Sequence, residues 1–280
     1  MCGIIGSIGL KFKPNIFLEA LSSLAHRGPD DNGYEYFKIN DKDVWFGHTR
    51  LSILERSAAG KQPMTSKDRR WCITYNGEIY NHNELRKDSG LSCYGQSDTS
   101  TLVELIAQKG IEKALPSLNG MFAFAAFDTQ KNELYLARDP VGVKPLYYVD
   151  KESSFFFASE VRALGAIGVV NGELDSKAFQ TYLTLRYVPS PKTVWKNIKR
   201  LPPGHLLRLS LSDMKVQVQP YIVPDKKKFQ GSLTEAAECY QEALLHAIKR
   251  QLLSDVPVGI LLSGGIDSAL IAAMAKGGRL

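Results

Sequence analysis

The sequence predicts a layered α+β protein followed by the start of a parallel α/β unit, and three observations predict it. Short β-type runs separated by turn signals dominate from Cys2 to about Tyr148. Two amphipathic helical patterns interrupt those runs, and an apolar run, a Gly-Gly pair and an Ala-rich helical pattern follow one another shortly before Leu280.

In chain order, "NIFLEALSSLAHRG" sets Phe17, Leu18, Leu21 and Leu24 at helical spacing. "VWFGHTRLSIL" and "RWCITYNGEIY" read as strands, and within the second the pair Asn76-Gly77 is first of all a hairpin-turn signal. "QSDTSTLVELIAQKG" is a second helix, with Ser97 or Asp98 as its N-cap. "MFAFAAFD", "ELYLARD" and "KPLYYVD" return to strand patterning. "SKAFQTYLTLRYVPSP" is a helix ended by prolines, and "LPPGHLLRLSL" with "MKVQVQPY" reads as a strand pair closing the first domain.

The first domain is expected over 2–223, a polar, lysine-rich linker over 224–232, and the beginning of a second domain over 233–280. That second part opens with a long amphipathic helix, "LTEAAECYQEALLHAIKRQLLS". It continues in "PVGILLSGGIDSALIAAMAKGG", read as a buried strand, a glycine turn and a helix. A parallel sheet cannot be built from one strand, so this unit is begun and not finished by Leu280.

Composition narrows the class. At 280 residues the chain can hold one large domain or two ordinary ones, with the apolar and charged fractions of a soluble globular protein. No apolar run is long enough to span a bilayer and no secretory signal opens the chain, so a cytoplasmic protein without a membrane partner is expected. Cys2, Cys72, Cys93 and Cys239 form no CxxC pair or zinc spacing, and read as reduced thiols with no metal site. The net charge of +6 is dispersed, and "DKKKFQ" lacks the aromatic pattern of a nucleic-acid surface. The five histidines show no triad or metal spacing and read as structural.

Several stretches carry chemistry. Removal of the initiator methionine from "MCGIIG" would leave Cys2 with a thiol and a free α-amine on one residue, a nucleophile beside its own base. Both groups titrate near neutrality, and a modest shift primes the pair. "SGGIDS", Ser263 to Ser268, places glycines and a helix start where an anion can be cradled; it lacks the lysine of a Walker A loop. "GLSCYGQS" has Gln96 where that lysine belongs, and "GIIGSIG" is misspaced for a dinucleotide fingerprint. In "NGEIYN" the Asn76 amide and the Gly77 N–H can alternatively form an oxyanion hole. Arg50, inside a β-run, calls for a carboxylate partner or can fork a substrate carboxylate, while Glu78 and Asp98 are acceptors for a substrate ammonium.

Taken together, "MCGIIG", "HRGPD", "GHTRLSI", "NGEIYNHNELR", "LNGMFAFAAFD", "RDPVGVKPLYY", "LRYVPSPKTVW", "LPPGH" and "SDVPVGILLSGGIDS" resemble the glutamine-hydrolysing asparagine synthetases over nearly the whole chain. "HRGPD" and "NGE" are shared with the wider class II glutamine amidotransferases, and "SGGIDS" selects the synthetase branch. The resemblance implies a four-layer αββα N-terminal-nucleophile glutaminase joined to an ATP-pyrophosphatase-type domain. It implies that processed Cys2 attacks the glutamine side-chain amide, Asn76 and Gly77 hold the oxyanion, Arg50 binds the α-carboxylate, and Glu78 and Asp98 bind the α-ammonium. It further implies that Ser263, Gly264, Gly265, Asp267 and Ser268 hold the pyrophosphate part of ATP with Mg2+, with the Leu262 backbone near the nucleotide. The ammonia would then amidate an activated aspartate, and a homodimer is the expected assembly.

Two positions depart from the family pattern, Ala269 for a second serine and Ser100 for a glutamate. The residues that choose the acceptor lie beyond Leu280, so asparagine synthesis is not expected of these 280 residues alone. Two alternatives stay open: an amidotransferase for another acceptor (sugar, peptide or β-lactam-type), or a non-catalytic fragment that binds a full-length synthetase.

Overall fold

The computed structural model describes residues 1–9, 14–224 and 228–276. The "DKK" residues 225–227 of the expected linker lie outside the described residues. The chain forms, in order, β1 (Gly3–Ile8), α1 (Pro14–Ser22), β2 (Asp31–Ile39), β3 (Lys42–Arg50), β4 (Met64–Thr65), β5 (Trp71–Ile79), α2 (His82–Asp88), α3 (Asp98–Lys109) and α4 (Ile111–Ala114). There follow β6 (Gly120–Asp128), β7 (Glu133–Arg138), β8 (Tyr147–Lys151), β9 (Ser154–Ala158), α5 (Val161–Ile167), α6 (Ser176–Leu185), β10 (Lys199–Arg200), β11 (His205–Ser210), β12 (Val216–Pro220), α7 (Leu233–Gln251) and α8 (Ile266–Lys276).

The strands make two six-stranded sheets, ordered β10-β8-β9-β1-β3-β2 and β12-β11-β7-β6-β5-β4. Every pairing between strands is antiparallel. The sheets face each other across a core of Ile4, Ile8, Val44 and Phe46 from the first and Cys72, Ala123, Ala125, Phe127 and Leu136 from the second. Phe46 meets Phe157 edge-on, with ring centres 5.5 Å apart, the geometry that aromatic quadrupoles favour. The outer face of the first sheet packs on α1 and α5 through Phe17, Leu21, Ala163 and Leu164. The outer face of the second packs on α2 and α3 through Leu85, Leu102, Leu105 and Ile106. The architecture is therefore α+β in four layers, αββα.

Helix termini follow the chemistry expected of them. Ser97 caps α3 by accepting from the Ser100 N–H, which makes Asp98 the first helical residue. Ser232 caps α7 in a reciprocal capping box with Glu235. Among the described residues four α-helices, not two, interrupt the strands before Tyr148, because α2 and α4 are too short to show a helical period.

Two expectations are corrected. Asn76-Gly77 is not a hairpin turn: both residues lie inside β5, which pairs with β6 from Trp71↔Asp128 to Ile79↔Gly120. The nine-residue ladder overrides the local turn preference. Glycine is needed at 77 for another reason, since a Cβ there would press on Met121 O and lie 2.7 Å from Phe122 Cα. The second correction concerns the apolar run before "SGGIDS", which forms no strand and is not buried: Leu261 is 97% exposed and Leu262 64%. A strand gains stability from paired neighbours, and no described residue pairs with this segment.

Candidate active site

Side-chain alternation assembles the site. In β1 the even-numbered residues Ile4 and Ile8 face the second sheet; in β3 Val44 and Phe46 face it; in β5 Cys72 faces back. Residues of the same parity share that face. Cys2, just ahead of β1, thus joins His48 and Arg50 of β3 and Asn76 and Glu78 of β5 at one end of the space between the sheets. Asp98, opening α3, closes the group from the side. Cys2, Arg50, Gly77, Glu78 and Asp98 line a single cavity together with Leu51, Ile53, Leu54, Gln62, Tyr75, Ser97 and Thr99.

The N-terminal segment is held tightly. Arg27 Nε donates to Cys2 O at 2.9 Å, and the same guanidinium donates to Glu160 Oε1 at 2.8 Å. Ile4 N donates to Ser159 Oγ at 3.0 Å, and Ser159 N donates to Ile4 O at 2.9 Å. Leu51 N donates to Cys2 Sγ at 3.4 Å. With Met1 in place the thiol is not primed, and its amine belongs to the residue before it. Burial pushes the Cys2 thiol up, aided by Asp98 and Glu78, and the opposing Leu51 N–H and terminal amine do not offset it. Burial also lowers the Met1 amine.

Asn76 is buried, and its Nδ2 has no hydrogen-bond partner among the described residues. The Gly77 N–H is free for a geometric reason. Phe122, opposite Gly77, directs its N–H and C=O to Asp139 on the β7 side, so Gly77 and Phe122 form a non-hydrogen-bonded pair. On the same edge of β5, Tyr75 N donates to Gln62 Oε1 at 2.8 Å and Ile79 N donates to Asp98 Oδ2 at 3.0 Å. The Gly77 N–H between them has no partner among the described residues. A buried amide and a backbone N–H left unpaired side by side are expensive as structure, and useful as donors to a developing oxyanion.

Arg50 is buried, but its partners are not the carboxylate that the sequence suggested. Nη1 donates to Ser57 O at 3.1 Å, and Nη2 donates to Leu54 O at 3.4 Å and to Glu55 O. Carbonyls of the loop after β3 thus take up three donors of the guanidinium's five and fix its plane.

The two carboxylates are charged with difficulty. Burial, then the neighbouring Asp98, pushes Glu78 up to about 8. Burial likewise raises Asp98, against hydrogen bonds from the Tyr75 hydroxyl at 2.7 Å and from the N–H groups of Ile79 and Thr99. Two carboxyls both raised by burial, with Asp98 raising Glu78 further, fit a cation between them. Lys144, almost wholly buried, is lowered chiefly by burial, with the Glu78 and Cys2 charges opposing. Lys144, Gln62 and Tyr75 escaped the sequence reading. Gln62 bridges Tyr75 N and, at 3.1 Å, Thr99 Oγ1; a polar residue beside a proline in a loop gives no signal of that.

The "SGGIDS" residues lie apart from this cavity, exposed, at the start of α8. Gly264 has φ +80°, Ser263 Oγ and Ser268 Oγ are 3.0 Å apart, and Ser268 Oγ donates to Gly265 O at 3.0 Å. The N–H groups of Ile266, Asp267 and Ser268 find no partner among the described residues. That donor set fits an anionic group. Leu262 adjoins it.

Comparison with known proteins adds the following. A family described as "Glutamine amidotransferase domain" matches residues 1–222, and one described as "Asparagine synthase" matches 240–279. A relative from Bacillus subtilis named asparagine synthetase [glutamine-hydrolyzing] 1 is 34% identical over 99% of this chain and 44% of its own length. A putative asparagine synthetase [glutamine-hydrolyzing] 2 from Methanocaldococcus jannaschii is 32% identical over 99% of this chain and 57% of its own. The chain thus spans about half the length of the curated relatives it matches. Among solved structures, the glutamine phosphoribosylpyrophosphate amidotransferase of Bacillus subtilis superposes with a TM-score of 0.59 at 18% identity. That superposition covers 99% of this chain and 64% of the other, a likeness of fold.

Proposed function

The chain belongs to the glutamine amidotransferase domain family, and on that premise we propose that it hydrolyses glutamine to glutamate and ammonia with Cys2 as nucleophile. The observation that carries the reading is the cavity where Cys2, Arg50, Glu78 and Asp98 converge beside two unpaired donors, Asn76 Nδ2 and the Gly77 N–H.

The residues divide the work by charge. Arg50 holds the substrate α-carboxylate through its charge and a donor that its loop leaves over, and Glu78 and Asp98 take the α-ammonium. The side-chain amide then lies toward Cys2. With Met1 removed, the Cys2 thiol gives its proton to the adjacent α-amine and the sulfur attacks the amide carbon. The oxygen that becomes negative is received by Asn76 Nδ2 and the Gly77 N–H. Collapse returns the proton to the leaving nitrogen and expels ammonia, leaving a thioester on Cys2. Water cleaves the thioester, glutamate departs and the thiol is restored.

The relatives' names extend the proposal to asparagine formation from aspartate. Ser263, Gly264, Gly265, Asp267 and Ser268, with Leu262 beside them, would hold the phosphates of ATP with Mg2+ at the α8 N-terminus. Bound there, ATP supplies the activation of a carboxylate for amidation. Cytoplasmic location and a homodimer belong to the same reading; among the described residues no helix is long and apolar enough to cross a membrane.

The test is glutamate release from glutamine by the purified chain, with Met1 removal verified by mass spectrometry. Release that vanishes in Cys2→Ala and in chains retaining Met1 is expected. Undiminished release in either overturns the assignment of the nucleophile.

A further inference from the structure

The loop after β3 is gripped from two sides. On its inner side the carbonyls of Leu54, Glu55 and Ser57 accept from Arg50. On its outer side the Glu55 N–H donates to Asp255 Oδ2 at 2.8 Å, and the Asp255 N–H donates to Ile53 O at 3.3 Å. Asp255 comes from the segment after α7, eight residues ahead of Ser263. We propose that Asp255 is a positioning residue for the glutamine pocket: it pins the loop of residues 53–57 in the form that orients Arg50 toward the substrate carboxylate. The inference rests on the glutaminase reading above.

The backbone of Glu55 shows why a pin is needed. Its φ of +53° is a left-handed conformation that a glutamate rarely adopts. Three contacts hold it there: Ser57 Oγ donates to Oε1 at 2.5 Å, Gln96 N donates to Oε2 at 2.8 Å, and Asp255 takes the Glu55 N–H. A residue in that region reverts to negative φ when released. Reversion reorients the peptide groups on either side of Glu55, and with them the carbonyls that fix the guanidinium.

The segment carrying Asp255 is itself anchored nearby. Arg250, in the last turn of α7, reaches Glu84 of α2 at 3.4 Å. Asp255 also sits close enough to the cavity for its charge to act on Glu78 and His82. The consequence is a direct mechanical link: movement of the stretch leading into the Ser263–Ser268 loop is transmitted to the pocket that holds Arg50.

The test compares Asp255→Ala and Asp255→Asn in the full chain, with two readouts. The first is glutamine affinity by titration calorimetry in a Cys2→Ala background, supported by KM and kcat in the active chain. The second is hydrogen exchange at the amides of residues 53–57. Asp255→Ala is expected to weaken glutamine binding about 3- to 10-fold, the effect of one lost charge-assisted hydrogen bond at an exposed site. KM should rise in step with kcat nearly unchanged, and the Glu55 amide should exchange faster. Asp255→Asn, which keeps a side-chain oxygen for the Glu55 N–H, is expected to restore most of both.

Unchanged or tighter binding in Asp255→Ala overturns the proposal, as does unchanged exchange. Failure of the glutaminase reading has a different signature, namely that the Cys2→Ala chain itself takes up no glutamine. The exchange measurement then still decides whether Asp255 grips the loop.

Discussion

His48 Nε2 donates to Tyr75 O at 3.0 Å, joining β3 of one sheet to β5 of the other across the buried interface. Because the acceptor is a carbonyl, Nε2 carries the proton, and Nδ1 has no partner among the described residues. The same peptide group begins Asn76, so this bond fixes the strand from which the proposed oxyanion donors project. Burial drives the imidazole down to about 4.

Acid stability follows with a defined sign. Between the ordinary value of 6.5 and about 4 the unfolded chain binds a proton at His48 that the folded chain refuses. Stability is therefore full above about 6.5 and declines as pH falls toward 4, by about 3 kcal/mol from this residue. Thermal melts at steps across that window should show a shallower slope for His48→Gln than for the unaltered chain.

Asn76 is expected to act on the chemical step. Removing one oxyanion donor costs about 100- to 1,000-fold in kcat where such donors have been deleted. Asn76→Ala should lower kcat by that order with little change in KM, read from initial rates of glutamate release. A rise in KM with kcat preserved would place Asn76 in ground-state binding instead.

Glu78 is expected to make glutamine binding proton-linked. With its carboxyl pushed up to about 8, it is largely protonated at neutral pH before substrate arrives. An ammonium placed between Glu78 and Asp98 favours the ionised form, so binding near pH 7 expels a proton. Calorimetry of the Cys2→Ala chain in buffers of different ionisation enthalpy should record that release, and KM should fall as pH rises from 6 to 8. Glu78→Gln is expected to abolish both effects.

The same shift has a stability counterpart of opposite sign to that of His48. The raised Glu78 stabilises the ligand-free fold below about 4.5, and this contribution is lost as pH rises through about 8. Melting Glu78→Gln and the unaltered chain at pH 5 and pH 8 should show the variant gaining relative stability at the higher value.

Gly77→Ala tests packing. The new Cβ meets β6 backbone, not a movable side chain, at Met121 and Phe122. A cost of about 1–3 kcal/mol is expected from overpacking, read as a lowered urea midpoint, with loss of activity beyond that as the strand shifts.

How much of this was legible in the sequence differs from residue to residue. The strand patterns of β3, β5, β6 and β7 and the cap at Ser97 were readable because alternation and capping are local rules. Cys2, Arg50, Gly77, Glu78 and Asp98 do converge on one cavity, which single-residue reasoning could not establish and the resemblance could. The misreading of Asn76-Gly77 has the opposite cause: a dipeptide's turn preference is weak beside a ladder whose far strand lies more than forty residues away. Arg50's carbonyl partners, the Gln62 bridge and the grip of Asp255 on Glu55 depend on loop conformation, for which the chain offers no periodic signal.

One more consequence lies in the position of β1 between β9 and β3. The partners of β1 are spread widely along the chain. Ile4 is bonded to Ser159, 155 residues later, and β1 cannot complete its pairing until β9 exists. The surroundings of Cys2 are therefore complete only once the chain extends past β9, and the proposed hydrolysis is expected only from a chain at least that long.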